Sequence, residues 1–283
     1  MKIKHPLLPA TVEVLQLLNT AGVDYLLIGA QARELLLYHV YDRPQGRATT
    51  DIDIVVMVED WTRYEDLKGM LLTASDRVQA DRVLHRLHYR VAPTGLESSP
   101  WLYRIDIIPF GGVENPPGEI QWPPDAEVRM NLAGFQEAWA TAVIVEIRNS
   151  LSVRCASLPA LALLKLMAWG DRSAETSRDA EDLLNILKEY RSAGNEERIY
   201  DELPEALLEM FGYDPDLMAA VLLGRDMRAL ACPDSQSRAL TLLSEPESRR
   251  RLLGALLRAV PSTENRTGQL MEALYEGMKG PSY

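Results

Sequence analysis

The sequence predicts an α+β protein, with a mixed-sheet domain over residues 1–156 and an all-helical domain over 157–283. Three observations predict it. β-branched runs alternate with amphipathic helical stretches through the first half, the pattern of a sheet packed against helices. At Ser157 the periodicity changes to 3.6 residues and stays there. No period of 20–50 residues recurs, so solenoids and propellers are set aside.

Taken in order, Thr11–Thr20 reads as an amphipathic helix, and Val23–Ile28 as a short buried strand ending at Gly29. A helix follows over Gln31–His39. Asp51–Val58 is β-branched and opens by alternating, which makes it a strand with Asp51 and Asp53 on one face. Trp61–Thr73 is the next helix, and His85–Val91 and Trp101–Pro109 are strands of the same sheet. Four prolines between Glu114 and Pro124 make that segment a loop. Ala142–Ile147 and Leu151–Arg154 are short strands that finish the first domain. Ser157 is a helix N-cap, and helices follow over Leu158–Trp169, Arg178–Tyr190, Pro204–Met210, Pro215–Ala231, Ser248–Val260 and Glu264–Lys279.

Composition limits the function classes. With 30 Lys and Arg against 41 Asp and Glu the net charge is −11, and both halves are acidic, which excludes binding of nucleic acid through a broad basic surface but not through a local phosphate pocket. Cys155 and Cys232 stand far apart with no metal-type spacing, so a reducing cytoplasm is expected rather than a disulfide scaffold. The apolar residues after the N-terminus are broken by Thr11, Glu13 and Gln16, unlike a signal peptide, and no apolar run approaches the roughly 20 residues of a membrane span.

Two carboxylates two residues apart on a strand face share one divalent ion's reach, an all-oxygen set that suits Mg²⁺. Asp106, between Ile105 and Ile107, is a third strand carboxylate, costly to bury unless paired or metal-bound. Three such groups suit two Mg²⁺ ions clamping an in-line attack at phosphorus. His85 and His88 fall on opposite strand faces, which argues against a zinc pair. Arg249–Arg251 is a charge run of the kind that usually marks a solvated helix face, with contact to an RNA acceptor as the other reading. Trp139 and Trp169 read as core rather than as base-stacking platforms.

The run Leu27–Arg33, then Arg47–Ile54, then Arg104–Ile108 resembles the nucleotidyltransferase superfamily with the DNA polymerase β-like fold. A second block, Leu164–Arg172 continuing to Arg178–Leu183, resembles the signature of its AbiEii-type branch, which includes toxins of toxin–antitoxin pairs. The resemblance implies a polymerase β-like sheet domain followed by helices. It also implies Mg²⁺-dependent transfer of a nucleoside monophosphate from a nucleoside triphosphate such as ATP to a hydroxyl, on an RNA 3′ end or a protein side chain. It implies an antitoxin protein as a candidate partner, and the short apolar runs imply no membrane.

By the same resemblance Asp51, Asp53 and Asp106 are Mg²⁺ ligands, and Asp106 takes the proton of the attacking hydroxyl. Lys165 and Arg172 are triphosphate contacts that Asp179 and Asp182, at i and i+3, orient. Gly29, Ala30, Arg33, Arg47 and Thr50 complete the nucleotide-contacting set. Ala30 stands where the superfamily usually has Ser or Gly, and Arg178 where the branch commonly has Lys. Two rivals remain at this point: a non-catalytic binding or regulatory module on the same fold, and hydrolysis of the nucleotide without an acceptor.

Overall fold

The structure, a computed structural model, describes residues 7–45, 49, 51–91, 101–147, 151–259 and 264–280. The chain forms two compact units, one comprising Met1–Ala32, Arg47–Phe135 and Ala142–Ala156, the other Arg33–Gly46, Gln136–Thr141 and Ser157–Tyr283. The last change of unit falls after Ala156. Two earlier segments belong with the helices.

The first unit is built on a seven-stranded mixed sheet. Its strands are β1 (Tyr25–Ile28), β2 (Asp51–Val58), β3 (Val78–Ala80), β4 (Arg86–Val91), β5 (Trp101–Gly111), β8 (Val143–Ile147) and β9 (Leu151–Cys155), in the order β3-β4-β5-β2-β1-β9-β8. β2 runs parallel to β5 and antiparallel to β1, while β1 runs parallel to β9. All four residues of β1 are buried, whereas β2 buries Ile52, Ile54, Val56 and Val58 on one face and leaves Asp51 and Asp53 partly open on the other. Helices α1 (Leu7–Thr20) and α3 (Trp61–Ala74) pack in this unit, and Asp60 caps α3 by accepting from Arg63 N (2.8 Å).

Before Ser157 two expectations are corrected and one strand is added. The proline-rich segment is not all loop: β6 (Glu119–Gln121) pairs antiparallel with β7 (Arg129–Asn131) as a second, two-stranded sheet. Its apolar anchor is Trp122, 2% exposed, packed against Trp61, Tyr64 and His85. Proline suits a short edge ladder, and the tryptophan supplies the burial that fixes it. β3 is too short for a periodicity signal. The helix expected over Gln31–His39 begins at Gly29 as α2 (Gly29–Glu34) and continues through Leu35–Val40 with wider i→i+5 hydrogen bonds, such as Tyr41 N to Leu36 O (3.0 Å).

The second unit is helical: α4 (Phe135–Ala140), α5 (Leu158–Arg172), α6 (Arg178–Glu189), α7 (Arg198–Asp201), α8 (Glu205–Met210), α9 (Pro215–Leu230), α10 (Pro233–Ser244), α11 (Pro246–Ala259) and α12 (Glu264–Lys279). Ser157 caps α5, accepting from Ala160 N. α4, α7 and α10 are additions to the sequence reading: α4 and α7 are too short for a 3.6-residue period to register, and α10 carries only three buried residues. Between α9 and α12 the backbones nearly touch, since a Cβ on Gly277 would lie 2.0 Å from Val221 O and one on Gly224 2.2 Å from Leu274 O. Among the described residues, no helix is long and apolar enough to cross a membrane.

Candidate active site

In the sheet unit, register alone gathers the acidic residues. Asp53 is opposite Asp106 across the parallel β2/β5 pair, Asp106 opposite Arg86 across β4/β5, and Asp53 opposite Ile28 across β1/β2. Partners in register put their side chains on one face, so Arg86, Asp106 and Asp53 form a row that ends beside Gly29. Asp51, two residues back, lies on the same face, opposite Arg104.

Each member is held. Arg86 grips Asp106 with two parallel bonds, Nε to Oδ1 at 2.7 Å and Nη2 to Oδ2 at 3.0 Å. Arg104 Nε donates to Asp51 Oδ1 at 2.7 Å, and Asp51 N donates to Thr49 Oγ1 at 3.1 Å. Asp53 is packed against Gly29. With φ +68° Gly29 is in the left-handed region, and a Cβ there would fall 2.0 Å from Asp53 Oδ2. Glycine is therefore needed twice over, for its backbone angle and for the space the carboxylate fills. Ala30 is buried beside it.

The expectation that a strand-borne Asp106 needs a partner is met, at a half-buried position, by a residue sequence reasoning did not name, Arg86. Its signal was its place at the start of a strand, but which acid it faces depends on register. Next to it, His85 stacks on Trp122 (5.6 Å), and burial, partly offset by the charge of Asp106, holds its imidazole below the ordinary histidine range. His88 pairs instead with Asp81 at 2.5 Å. Tyr64 donates to Ile107 O at 2.8 Å on the same strand as Asp106, and burial pushes its hydroxyl well up, so it stays protonated.

The helical unit holds the second cluster. Lys165 Nζ meets Asp179 Oδ1 at 3.1 Å and Asp182 Oδ2 at 2.7 Å. Arg172 takes both oxygens of Asp179, at 2.7 and 2.9 Å. Arg33 pairs with Asp182 through Nη1 and with Glu34 through Nη2 (3.0 Å). Asp179 and Asp182 are 1% and 3% exposed, on a helix whose charged run would otherwise mark a solvated face. Burial alone would raise the Asp179 carboxyl, but the Arg172 hydrogen bond and the charges of Lys165 and Arg172 outweigh it and hold it below the usual range. Three cations and three carboxylates balance, the condition for burying such a set. Arg33, buried and ion-paired, is part of that set. The Arg172 side chain is 52% exposed. Arg47 and Thr50 lie outside the described residues.

All-oxygen donors on one sheet face suit a hard divalent cation. Among the described residues, however, no three Asp, Glu, His or Cys groups are already gathered to hold a metal ion, and two of the three aspartates are engaged by arginines.

A mixed sheet with an acidic row across its central strands, in a chain that continues as helices, defines the protein as one of nucleotidyltransferase fold. The chain belongs to the family described as nucleotidyl transferase AbiEii toxin, type IV TA system, which matches residues 35–272. Its activity class is accordingly nucleotidyl transfer. The chain is also similar to an antigenic nucleotidyltransferase-like protein from Paracoccidioides brasiliensis, at 17% identity over 74% of this chain and 88% of that one, with a TM-score of 0.44. It is similar to the antibiotic-resistance factor ANT(2'')-Ia at 15% identity over 77% and 91% of the two chains, with a TM-score of 0.34. No curated protein matches it.

Proposed function

We propose that the protein is a Mg²⁺-dependent nucleotidyltransferase that moves a nucleoside monophosphate from a triphosphate such as ATP to a hydroxyl on an RNA 3′ end or a protein side chain, acting as the toxin of a toxin–antitoxin pair. The observation that carries the reading is the row Arg86–Asp106–Asp53–Gly29, in which a glycine leaves room for a carboxylate at the end of a central strand. Family membership supports it.

Asp51, Asp53 and Asp106 are the residues that would hold Mg²⁺, whose chemistry is to neutralise the triphosphate and acidify the attacking hydroxyl. Asp106 accepts the proton as the hydroxyl oxygen bonds to the α-phosphorus and the bond to the bridging oxygen breaks, releasing pyrophosphate. Arg86 releases one edge of Asp106 for that step and remains close enough to keep it oriented. In the helical unit, Lys165 and Arg172 are the proposed phosphate contacts, with Asp179 and Asp182 fixing their direction.

Two arginines already occupy Asp51 and Asp106, and this favours the second reading, a non-catalytic nucleotide-binding module. Incubation of the protein with each α-labelled triphosphate, Mg²⁺ and total cellular RNA or protein separates the two. Label transferred by wild type and absent with Asp53→Asn is the expected result and identifies nucleotide and acceptor. Bound nucleotide without transfer from any of the four overturns the enzymatic reading. Growth arrest on expression, relieved by Asp53→Asn, tests the toxin role.

A further inference from the structure

The second unit carries a basic groove that none of the proposed chemistry uses. It is an open cavity of about 480 Å³ between the C-terminal end of α5, at Trp169 and Ser173, and one side of α11 from Arg250 to Arg258. Among the described residues three arginines and no acid line it, in a chain whose net charge is −11.

The arginines are set up to hold something. Arg251 lies over the Trp169 ring (5.7 Å) and donates to Ser173 Oγ, which fixes its guanidinium by a cation–π contact and a hydrogen bond. Arg250 meets Glu247 at 3.4 Å, but both side chains are largely exposed, so the pair is weak and easily opened. Arg258 is exposed and forms no ion pair among the described residues. The nearby acids have other work. Glu245 accepts from Ser248 N and is lowered by the backbone N–H groups of Ser248 and Glu247 ahead of the charge of Arg251, so it serves the start of α11.

Arg251, Gly254 and Arg258 follow one another at i, i+3 and i+7, one stripe of the helix about 10 Å long at its rise per residue. Between the two arginines the stripe is low, since a Cβ on Gly254 would meet only Arg258 Nη1, at 3.5 Å. A line of guanidinium groups along an open floor fits an extended polyanion better than a single small anion. An acidic protein segment would also need a deep apolar pocket for an anchoring side chain. The apolar lining here is Trp169 and Ala255, already buried in the unit, and the half-buried Leu253 and Leu257 beside backbone-level Gly254.

We propose that this groove binds the phosphodiester backbone of a single-stranded nucleic acid, with Arg250, Arg251 and Arg258 as the phosphate contacts. The binding is electrostatic and independent of sequence. It stands apart from the transfer reaction and requires none of its residues.

The test measures binding of fluorescent 12-mers of oligouridylate and oligodeoxythymidylate to the full-length protein across a salt series. Three contacts to a single strand give a log–log salt slope of about −2. Wild type is expected to show that slope with both probes. The triple variant Arg250→Gln/Arg251→Gln/Arg258→Gln is expected to lose most of the slope and about tenfold or more in affinity at low salt. The triple lysine variant retains both, and an unchanged melting temperature in the triple glutamine variant, or a proportionate slope loss in the exposed Arg258→Gln alone, excludes loss of fold as the cause. Absence of binding by wild type, binding by only one probe, an unchanged slope in the glutamine variant, or displacement of the probes by polyglutamate at matched charge each overturns the proposal, the last in favour of an acidic protein partner.

Discussion

Gly29 shows how much one atom can carry. A methyl group there would be strained by the φ of +68° and would lie 2.0 Å from Asp53 Oδ2. Gly29→Ala is expected to cost ~1–3 kcal/mol of stability and to displace Asp53, with nucleotidyl transfer falling by far more than stability predicts. Thermal unfolding and transfer assays on the same preparation check the split. Among the cysteines, burial pushes the Cys155 thiol up to about 12, so it stays protonated and shielded, while Cys232 is exposed. Iodoacetamide on the folded protein is expected to modify Cys232 and leave Cys155 intact until denaturant is added, as peptide mass spectrometry would show.

At the level of elements, α5 and α6 are joined by buried charge as much as by apolar contact. Asp182→Asn removes one carboxylate from a set that balances three cations, and the expected loss is about 3–5 kcal/mol, read from a denaturant midpoint. Asp179 adds a pH dependence. Its carboxyl is held below the unfolded value of about 3.9, so its stabilisation is complete above that value and is lost as pH falls through the folded one. Acid unfolding followed by circular dichroism is expected to show a gap between wild type and Asp179→Asn that closes below about pH 4. The β6/β7 pair depends on Trp122, and Trp122→Ala is expected to cost about 3–5 kcal/mol. The strands with clear alternation and the capped helices were legible in the sequence because their signals are local. β2 matches its expected bounds, Asp51–Val58, residue for residue. β6 was hidden by the prolines that flank it, and the stabilising contact of the adjoining Trp122 is with residues about 60 positions away, Trp61 and Tyr64.

For the molecule as a whole, chain order and unit membership differ. Arg33 and Glu137 precede Ser157 in sequence, yet they pair within the helical unit, Arg33 with Asp182 and Glu137 Oε1 with Cys232 N (3.3 Å). A fragment of residues 157–283 is therefore expected to leave Asp182 short of a cation and the start of α10 short of an acceptor. Hydrogen exchange should show weaker protection of α6 and α10 in the fragment than in the full chain.

The sequence by itself determined the class of fold, the strand that carries Asp51 and Asp53 on one face and the cap at Ser157, and its motifs carry the resemblance to the family. The fold class and the strand follow from periods of 2 and 3.6 residues and the cap from one side chain, all contained in a short window. Only the tertiary structure decided that Arg86 and Arg104 hold Asp106 and Asp51, that Arg33 turns to Asp182 across 149 residues, and that Asp179 and Asp182 are buried rather than solvated. A charged side chain's partner is chosen by strand register and by which helix faces meet, and no local pattern of residues encodes either.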